Sequence, residues 1–140
     1  MNLMNNQADT NDTENSVLEV LHATQTLLDA IAAADWKTYE TLCDESLTCF
    51  EPEARGVLVE GMDFHRYYFE LGGAEGLHNT TMASPHVRVV GEDMAIVSYI
   101  RLVQHQPGGS GSETSRTEET RVWVRRPEGW RHVHFHRSAN

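Results

Sequence analysis

Cysteine is scarce in this sequence, and long apolar runs are missing. Cys43 and Cys49 are its two cysteines, and their spacing does not match the CxxC pairs of zinc or redox sites. Nothing at the N-terminus resembles a signal peptide, and two lone cysteines are then typical of reduced thiols, so we expect a cytoplasmic protein. No run of about 18 apolar residues occurs, so we expect no membrane span.

Basic residues are also in short supply. The 140 residues include 11 Lys and Arg against 21 Asp and Glu, which gives a formal net charge of −10. This excess of acid argues against nucleic acid or an anionic membrane as a partner. A chain of this length forms one domain that buries most of its surface, so its folding requires neither a disulfide nor a metal.

The sequence motifs of several enzyme classes are absent. The chain has no GxSxG elbow, no HExxH and no glycine-rich phosphate loop. Asp63 and His65 could form an acid–base pair, but residues two apart on a helix do not face each other. We therefore expect no catalytic residue and no cofactor.

Helical periodicity dominates the first half of the chain. Residues 1–13 are Asn-rich and lack periodicity, which predicts a disordered lead-in before a domain of residues 14–140. The pattern of a long amphipathic helix starts at Glu14, and Asp35 is the predicted cap of a shorter second helix. Asp63 is the predicted cap of a third helix, DFHRYYFEL, which should end before Gly72.

Strand patterns dominate the second half. They predict strands at residues 86–90, 94–105, 117–126 and 130–137, separated by the turn signals GED, QPGGSGSETS and PEG. The earlier segment SLTCFEP predicts one further strand that ends at Pro52. The order helix, helix, strand, helix and four-stranded antiparallel meander predicts an α+β fold.

Two of these strands are apolar on both faces. In MAIVSYIRLV, Tyr99 and Arg101 share one face with two valines, and in EETRVWVRR, Arg121 and Trp123 oppose two further valines. The outer set consists of Met94, Ile96, Ile100, Leu102, Val122 and Val124. Because large exposed apolar patches mark contact surfaces, we expect this set to form a homo-oligomer interface. The alternative is a sheet with some exposed aliphatic residues.

Three arginines occupy similar positions on their strands. Arg101, Arg121 and Arg137 each share a strand face with an aromatic residue, respectively Tyr99, Trp123 and Phe135. If the three faces line one cavity, the planar guanidinium groups suit a carboxylate or a phosphate. The spacing leaves open the alternative that internal carboxylates pair with the arginines; the candidates are Glu60, Glu118 and Glu119.

The C-terminal segment HVHFHRSAN contains three alternating histidines. Strand alternation predicts that His132, His134 and His136 share one face, opposite Phe135 and Arg137. Rings at every second residue are about 6–7 Å apart, which is looser than most structural zinc sites. We therefore expect no metal here, and place the rings at a subunit contact or on the open face.

Five segments resemble, in order, the association (hub) domain of calcium/calmodulin-dependent protein kinase II. They are LTCFEPEARGVLVEG (47–61), EGMDFHRYYFE (60–70), SPHVRVVGEDMAIVSYIRL (84–102), EETRVWVRR (118–126) and GWRHVHFHRS (129–138). The resemblance implies the cone-shaped fold of the nuclear transport factor two-like (SnoaL-like) superfamily, in which a long helix and two shorter ones lie on a strongly bent antiparallel sheet. It also implies dimers that assemble through the outer sheet face into a closed ring of two stacked layers.

The resemblance further implies a ligand pocket. Arg101, Arg121 and Arg137 fall on arginines at the base of the family's pocket, and His65 falls on a residue that helps to hold small carboxylates. Tyr99 and Trp123 complete the predicted pocket set. The segment LGGAEG (71–76) replaces an aromatic-bearing loop of the family. No kinase domain and no basic calmodulin-binding helix accompanies these motifs, so we expect a free-standing hub homologue.

Two classes of function remain at this point. The first is a homo-oligomerisation domain with an arginine-lined pocket that accepts a small carboxylate or another anion. The alternative is a small-molecule enzyme of the ketosteroid isomerase-like superfamily, of isomerase, dehydratase or cyclase type. We find no carboxylate clearly on the pocket face to act as a general base, which favours the first class.

Overall fold

Three helices pack on one face of a six-stranded sheet in the computed structural model, which describes residues 3–73, 78–106 and 111–139. The elements in chain order are α1 (Leu3–Ala33), α2 (Trp36–Leu42), β1 (Cys43–Phe50), β2 (Val59–Glu60), α3 (Asp63–Glu70), β3 (His78–Val90), β4 (Met94–His105), β5 (Glu113–Arg126) and β6 (Gly129–Arg137). A short 3₁₀ turn, Pro52–Ala54, lies between β1 and β2. The predicted α+β fold is confirmed.

The sheet extends beyond the predicted meander. Its strand order is β2-β1-β6-β5-β4-β3, and the antiparallel meander β3–β6 is present as expected. The prediction of an entirely antiparallel sheet is wrong at one place, because β1 pairs with β6 in parallel. A parallel pair requires a long connection, and α3 with four strands supplies it between these two elements.

Several elements begin earlier than predicted, among them β1 at Cys43, β5 at Glu113, and most clearly α1 and β3. Helix α1 begins at Leu3, so it includes residues that we predicted to be a disordered lead-in. Strand β3 begins at His78 rather than His86, and its register shifts between Ala83 and His86. Pro85 lies inside this irregularity, where its missing N–H costs no hydrogen bond of the sheet. Because proline usually interrupts a strand, the sequence did not predict the part of β3 that precedes it.

The prediction that Asp63 caps α3 is wrong. It is the first helical residue, and Met62 precedes it without a side-chain cap bond. Parts of two predicted loops, LGGAEG (71–76) and QPGGSGSETS (106–115), lie outside the described residues. No helix in the described part of the chain is long and apolar enough to cross a membrane.

The core lies between α1 and the inner face of the sheet. Val20, Leu27 and Leu28 of α1 are buried, and Ala95 and Val97 of β4 are buried on the sheet. Every second residue of β4 from Ala95 to Tyr99 is fully covered, while the residues between them are partly exposed. The predicted alternation of β4 is therefore present, and the helices cover only one of its faces.

The cap of α2 provides a test of these helix assignments. The Asp35 carboxylate accepts hydrogen bonds from Thr38 N at 3.2 Å and from the Thr38 hydroxyl at 2.6 Å. We expect Asp35→Ala to lower the free energy of unfolding by more than Asp63→Ala does, because it leaves helix-terminal amides without a partner. Asp63→Ala is the matched control and should cost roughly 0.3 kcal/mol, since only a charge near the start of α3 is lost. Equal losses in denaturant titrations at one protein concentration would contradict the assignment.

Candidate functional site

A cavity of about 290 Å³ opens between the helices and the inner face of the sheet. Its charged and titratable lining consists of Arg101, Arg121, Arg137, Glu51, Glu53 and His65, and its other lining side chains are Ile31, Tyr39, Tyr68, Phe69 and Phe135. The three arginines come from three neighbouring strands, β4, β5 and β6. The structure thus brings together four of the predicted pocket residues.

Each arginine has a carboxylate partner. Arg121 Nη2 lies 2.8 Å from Glu119 Oε1, and Arg101 Nη1 lies 3.3 Å from Glu119 Oε2. Arg137 Nη2 pairs with Glu53 and lies 3.6 Å from Glu51 Oε2. The sequence left open whether internal carboxylates pair with the arginines. Glu119 does so with two of the three.

The other candidate partners lie elsewhere, and two important ones were missed. Glu118 pairs with the exposed Arg116 at 3.6 Å, away from the cavity. Glu51 and Glu53 were not among our candidates, although strand alternation places Glu51 on the same face as Cys49. Our reading that no carboxylate clearly lies on the pocket face is wrong, because Glu51 and Glu53 line the cavity.

Arg121 is the most deeply buried charge of the site. The residue is 1% exposed and its partner Glu119 is 2% exposed. Arg121 Nε donates to the Tyr99 hydroxyl at 2.7 Å, which itself donates to Glu119 Oε1 at 2.7 Å. The guanidinium also lies over the Phe135 ring, 4.5 Å from its centroid. Burial alone would raise the pKa of Glu119, but Arg121, Arg101 and the Tyr99 hydroxyl lower it to about 2.

Tyr99 and Trp123 lie behind the cavity wall. Tyr99 holds Arg121 and Glu119 in position, as the hydrogen bonds above show. Trp123 is fully buried against the ring of His132, with ring centroids 5.1 Å apart. Ligand binding by the predicted pocket residues remains a prediction. Tyr99 and Trp123 would contribute to it only by positioning other side chains.

The predicted common face of the three C-terminal histidines is wrong. His132 is fully buried on the inner face, and its Nε2 lies 3.5 Å from Arg121 Nη1. The register of β5 and β6 shifts between Val122 and Trp123, which pair with His134 and His132 and leave Val133 as an extra residue. Such a bulge interrupts the alternation of faces.

His65 and His132 are held neutral by their surroundings. Burial, together with the charge of Arg121, lowers the pKa of His65 to about 4. Burial and Arg121 likewise place the pKa of His132 well below its ordinary value. His65 Nδ1 lies 3.8 Å from Glu51 Oε1, and burial raises the pKa of that carboxyl although Arg137 opposes it.

The predicted interface set lies on the opposite face of the sheet. Met94 pairs with Val124, and Ile96 pairs with Val122, in adjacent registers of β4 and β5. All six members of the set are partly exposed in the single chain. The face away from the helices therefore carries two apolar groups. Met94, Ile96, Val122 and Val124 lie together, and Ile100 and Leu102 lie beyond the Ser98–Thr120 pair.

The depressed histidine pKa values predict a loss of stability in acid. Below pH 6.5 the unfolded chain protonates His65, whereas the folded chain does so only near pH 4, so protons favour unfolding in between. At pH 5 this histidine should cost about 2 kcal/mol of the free energy of unfolding relative to pH 7. Glu119 adds its own loss only below its unfolded pKa of about 4.5.

His65→Gln should therefore reduce the loss of stability between pH 7 and pH 5, whatever its effect at pH 7. His22→Gln, at an exposed position of α1, is the control and should keep the wild-type pH dependence. Denaturant titrations at both pH values measure the difference. Identical pH slopes for wild type and His65→Gln would refute the assignment.

Comparison with known proteins places these features in a family. A family model described as the calcium/calmodulin dependent protein kinase II association domain matches residues 16–140. The delta subunit of calcium/calmodulin-dependent protein kinase type II from Oryctolagus cuniculus is 49% identical over 124 residues, or 87% of this chain. The match covers 23% of that subunit, so this chain spans about a quarter of the relative's length.

Solved structures give the same result. The kinase II hub homology domain of Chlamydomonas reinhardtii is 53% identical with a TM-score of 0.84, covering 89% of this chain and 98% of that one. A Streptomyces avermitilis protein of the NTF2-like family has a TM-score of 0.74 at 20% identity, covering 91% and 97% of the two chains, and so shares the fold alone. The chain has the NTF2-like fold, and it belongs to the calcium/calmodulin-dependent protein kinase II association domain family.

Proposed function

We propose that this chain is an oligomerisation domain whose copies associate through the outer face of the sheet. The observation that supports the proposal most directly is the apolar surface of Met94, Ile96, Ile100, Leu102, Val122 and Val124. These side chains are half-buried within one chain, while their neighbours along each strand are covered by the helices. A second copy would remove them from water at roughly 25 cal/mol per Å².

A closed ring of stacked dimers requires a second contact surface. An isologous contact between two outer faces uses each face once and gives only a dimer, so a ring needs another patch. Large exposed apolar side chains occur at Tyr67 of α3, at Leu71 just after it, and in the loop before β2, at Val57 and Leu58. We propose that this region forms the contact between dimers.

The cavity is proposed to bind a small carboxylate or a similar anion. Arg101 is the arginine best able to accept one, because its side chain is 13% exposed and makes one 3.3 Å contact with Glu119. Its buried Nε has no hydrogen-bond partner among the described residues. Arg121 is already engaged on several sides, and Arg137 is shared by two glutamates. A ligand anion must therefore compete with acids of the chain itself.

The alternative of a ketosteroid isomerase-like enzyme is not favoured. Glu53 and Glu119 are ion-paired with arginines, which stabilise the carboxylate and make it a weak proton acceptor. Glu51 and the neutral His65 remain as acid–base candidates on the cavity wall, where Glu51 also lies 3.6 Å from Arg137. Binding accounts for this arrangement better than proton transfer does.

The outer-face contact can be tested by placing a charge in its centre. We expect Ile100→Glu to lower the molar mass measured by size-exclusion chromatography with light scattering, since a buried unpaired carboxylate opposes association. Leu18→Glu on α1 is the control, because Leu18 is 64% exposed on another part of the molecule. A wild-type mass for Ile100→Glu would show that the contact lies elsewhere.

The anion site can be tested by thermal melting with acetate and succinate at constant ionic strength. A ligand that binds only the folded state adds about 2.7 kcal/mol at a hundredfold excess over its Kd, so the melting temperature should rise. Arg101→Met should abolish the rise, because it removes the donor group but keeps much of the packing volume. Arg116→Met, at an exposed arginine, should behave as wild type. Equal shifts in Arg101→Met and wild type would mean that the cavity is not the site.

A further inference from the structure

Three potential metal ligands meet at the wall of the cavity. Cys49 and Glu51 lie on the same side of the chain where β1 ends, and His65 lies in α3. Cys49 Sγ is 3.8 Å from His65 Nε2, and one donor atom from each of the three residues lies within 4.8 Å of the other two. Cys49 is anchored by its pairing with Val59 of β2 and Phe135 of β6. The thiol therefore sits on a rigid element, and the carboxylate can adjust.

These distances suit a small tetrahedral ion. Bonds of about 2.3 Å to sulfur and about 2.0–2.1 Å to nitrogen or oxygen place neighbouring ligands roughly 3.3–3.7 Å apart. The sulfur–nitrogen pair is close to this spacing. Glu51 Oε1 lies 3.8 Å from the other ring nitrogen, Nδ1, so the carboxylate must turn towards Nε2 to complete the site. We propose that Cys49, Glu51 and His65 bind one divalent ion of the zinc class, with the fourth position open to the cavity. This inference is independent of the proposed carboxylate ligand and of self-association.

Metal binding at this site requires the Cys49 thiol to lose its proton. Burial and Arg121 hold the pKa of His65 near 4, so a ring nitrogen carries a free lone pair at neutral pH. Burial and Glu51 raise the pKa of the Cys49 thiol to about 12, while Arg121 and Arg137 oppose the shift. Binding must then break the S–H bond, form the sulfur–metal bond and release the proton to solvent. The affinity should therefore increase with pH, by about tenfold per unit for each proton released.

The charges around the site balance when the ion is bound. A divalent cation, the Cys49 thiolate and the Glu51 carboxylate sum to zero. Arg121 then keeps its partner Glu119, and Arg137 keeps Glu53. Glu51 can bind the ion without leaving Arg137 unpaired, because Arg137 lies closer to Glu53 than to Glu51. The ion can enter through the cavity, which both Glu51 and His65 line.

The second cysteine of the chain provides an internal control. Cys43 Sγ lies 3.5 Å from His132 Nδ1, so this pair resembles Cys49 and His65. Within the described residues, however, no third donor completes a cluster there, and the other ring nitrogen of His132 faces Arg121. Both cysteines are buried. The geometry therefore predicts that only Cys49 becomes a metal-bound thiolate.

The test is a titration of the reduced, chelator-treated full chain with Co²⁺ in a chloride buffer without carboxylates. We expect a near-ultraviolet band from thiolate-to-cobalt charge transfer that saturates at one ion per chain and disappears when Zn²⁺ is added. Histidines on the outer face cannot produce this band, since it requires a sulfur ligand. Cys49→Ser should abolish it, Glu51→Gln should weaken binding at least tenfold, and Cys43→Ser should retain it.

Once circular dichroism has shown that the variants are folded, each outcome supports or overturns the proposed metal site. The inference is overturned by a wild-type chain without the band, by a band that persists in Cys49→Ser, or by one that is lost in Cys43→Ser. If Cys49→Ser does not fold, Glu51→Gln and His65→Gln replace it, and an unchanged cobalt affinity in both has the same consequence. Light scattering of the same samples reports self-association separately, so a failure of the metal site leaves the proposed assembly untouched.

Discussion

Side chains alternate along each strand, so the sheet has two faces. The function that we propose depends on what covers each face. On β4 both sets of alternate residues are largely apolar, and on β5 this holds for the stretch Val122–Val124, so neither face is suited to water alone there. The three helices are sufficient to cover one face, and α1 supplies most of that cover. The other face is left with partly exposed apolar residues, for which a further copy of the chain is the partner that we propose.

The covered face contains a buried positive charge, and its surroundings are arranged around that charge. An unpaired guanidinium at the position of Arg121 would be very costly, and Glu119, Tyr99 and Phe135 together compensate for it. The same charge helps to keep His65 and His132 neutral. The three arginines of the cavity are therefore paired with glutamates rather than free, and Arg101 has the weakest pairing. This balance is why we expect an anion to bind there in competition with acids of the chain.

Much of the architecture could be predicted because it depends on local pattern. The apolar positions of β4 alternate without interruption, and the cap at Asp35 has its expected bonds. The family resemblance added the long-range arrangement that brings Arg101, Arg121 and Arg137 to one cavity, which spacing alone left open.

The errors have a common physical origin in long-range pairing. The bulge at Val133 depends on the register between β5 and β6, so the face of His132 could not be read from its own strand. The parallel pairing of β1 and β6 joins segments more than eighty residues apart, and it carries Glu51 towards Arg137. Pro85 interrupted a strand pattern that the partner strand β4 maintains. A single sequence contains none of these pairings as a local signal.

The central claim is that the outer face of the sheet is covered by other copies of the chain, and native mass spectrometry of the purified wild-type protein tests it most directly. The account predicts a discrete assembly with an even number of subunits, larger than a dimer, at micromolar concentration. A monomer as the main species would contradict self-association through this face, and a dimer that does not assemble further would contradict the ring.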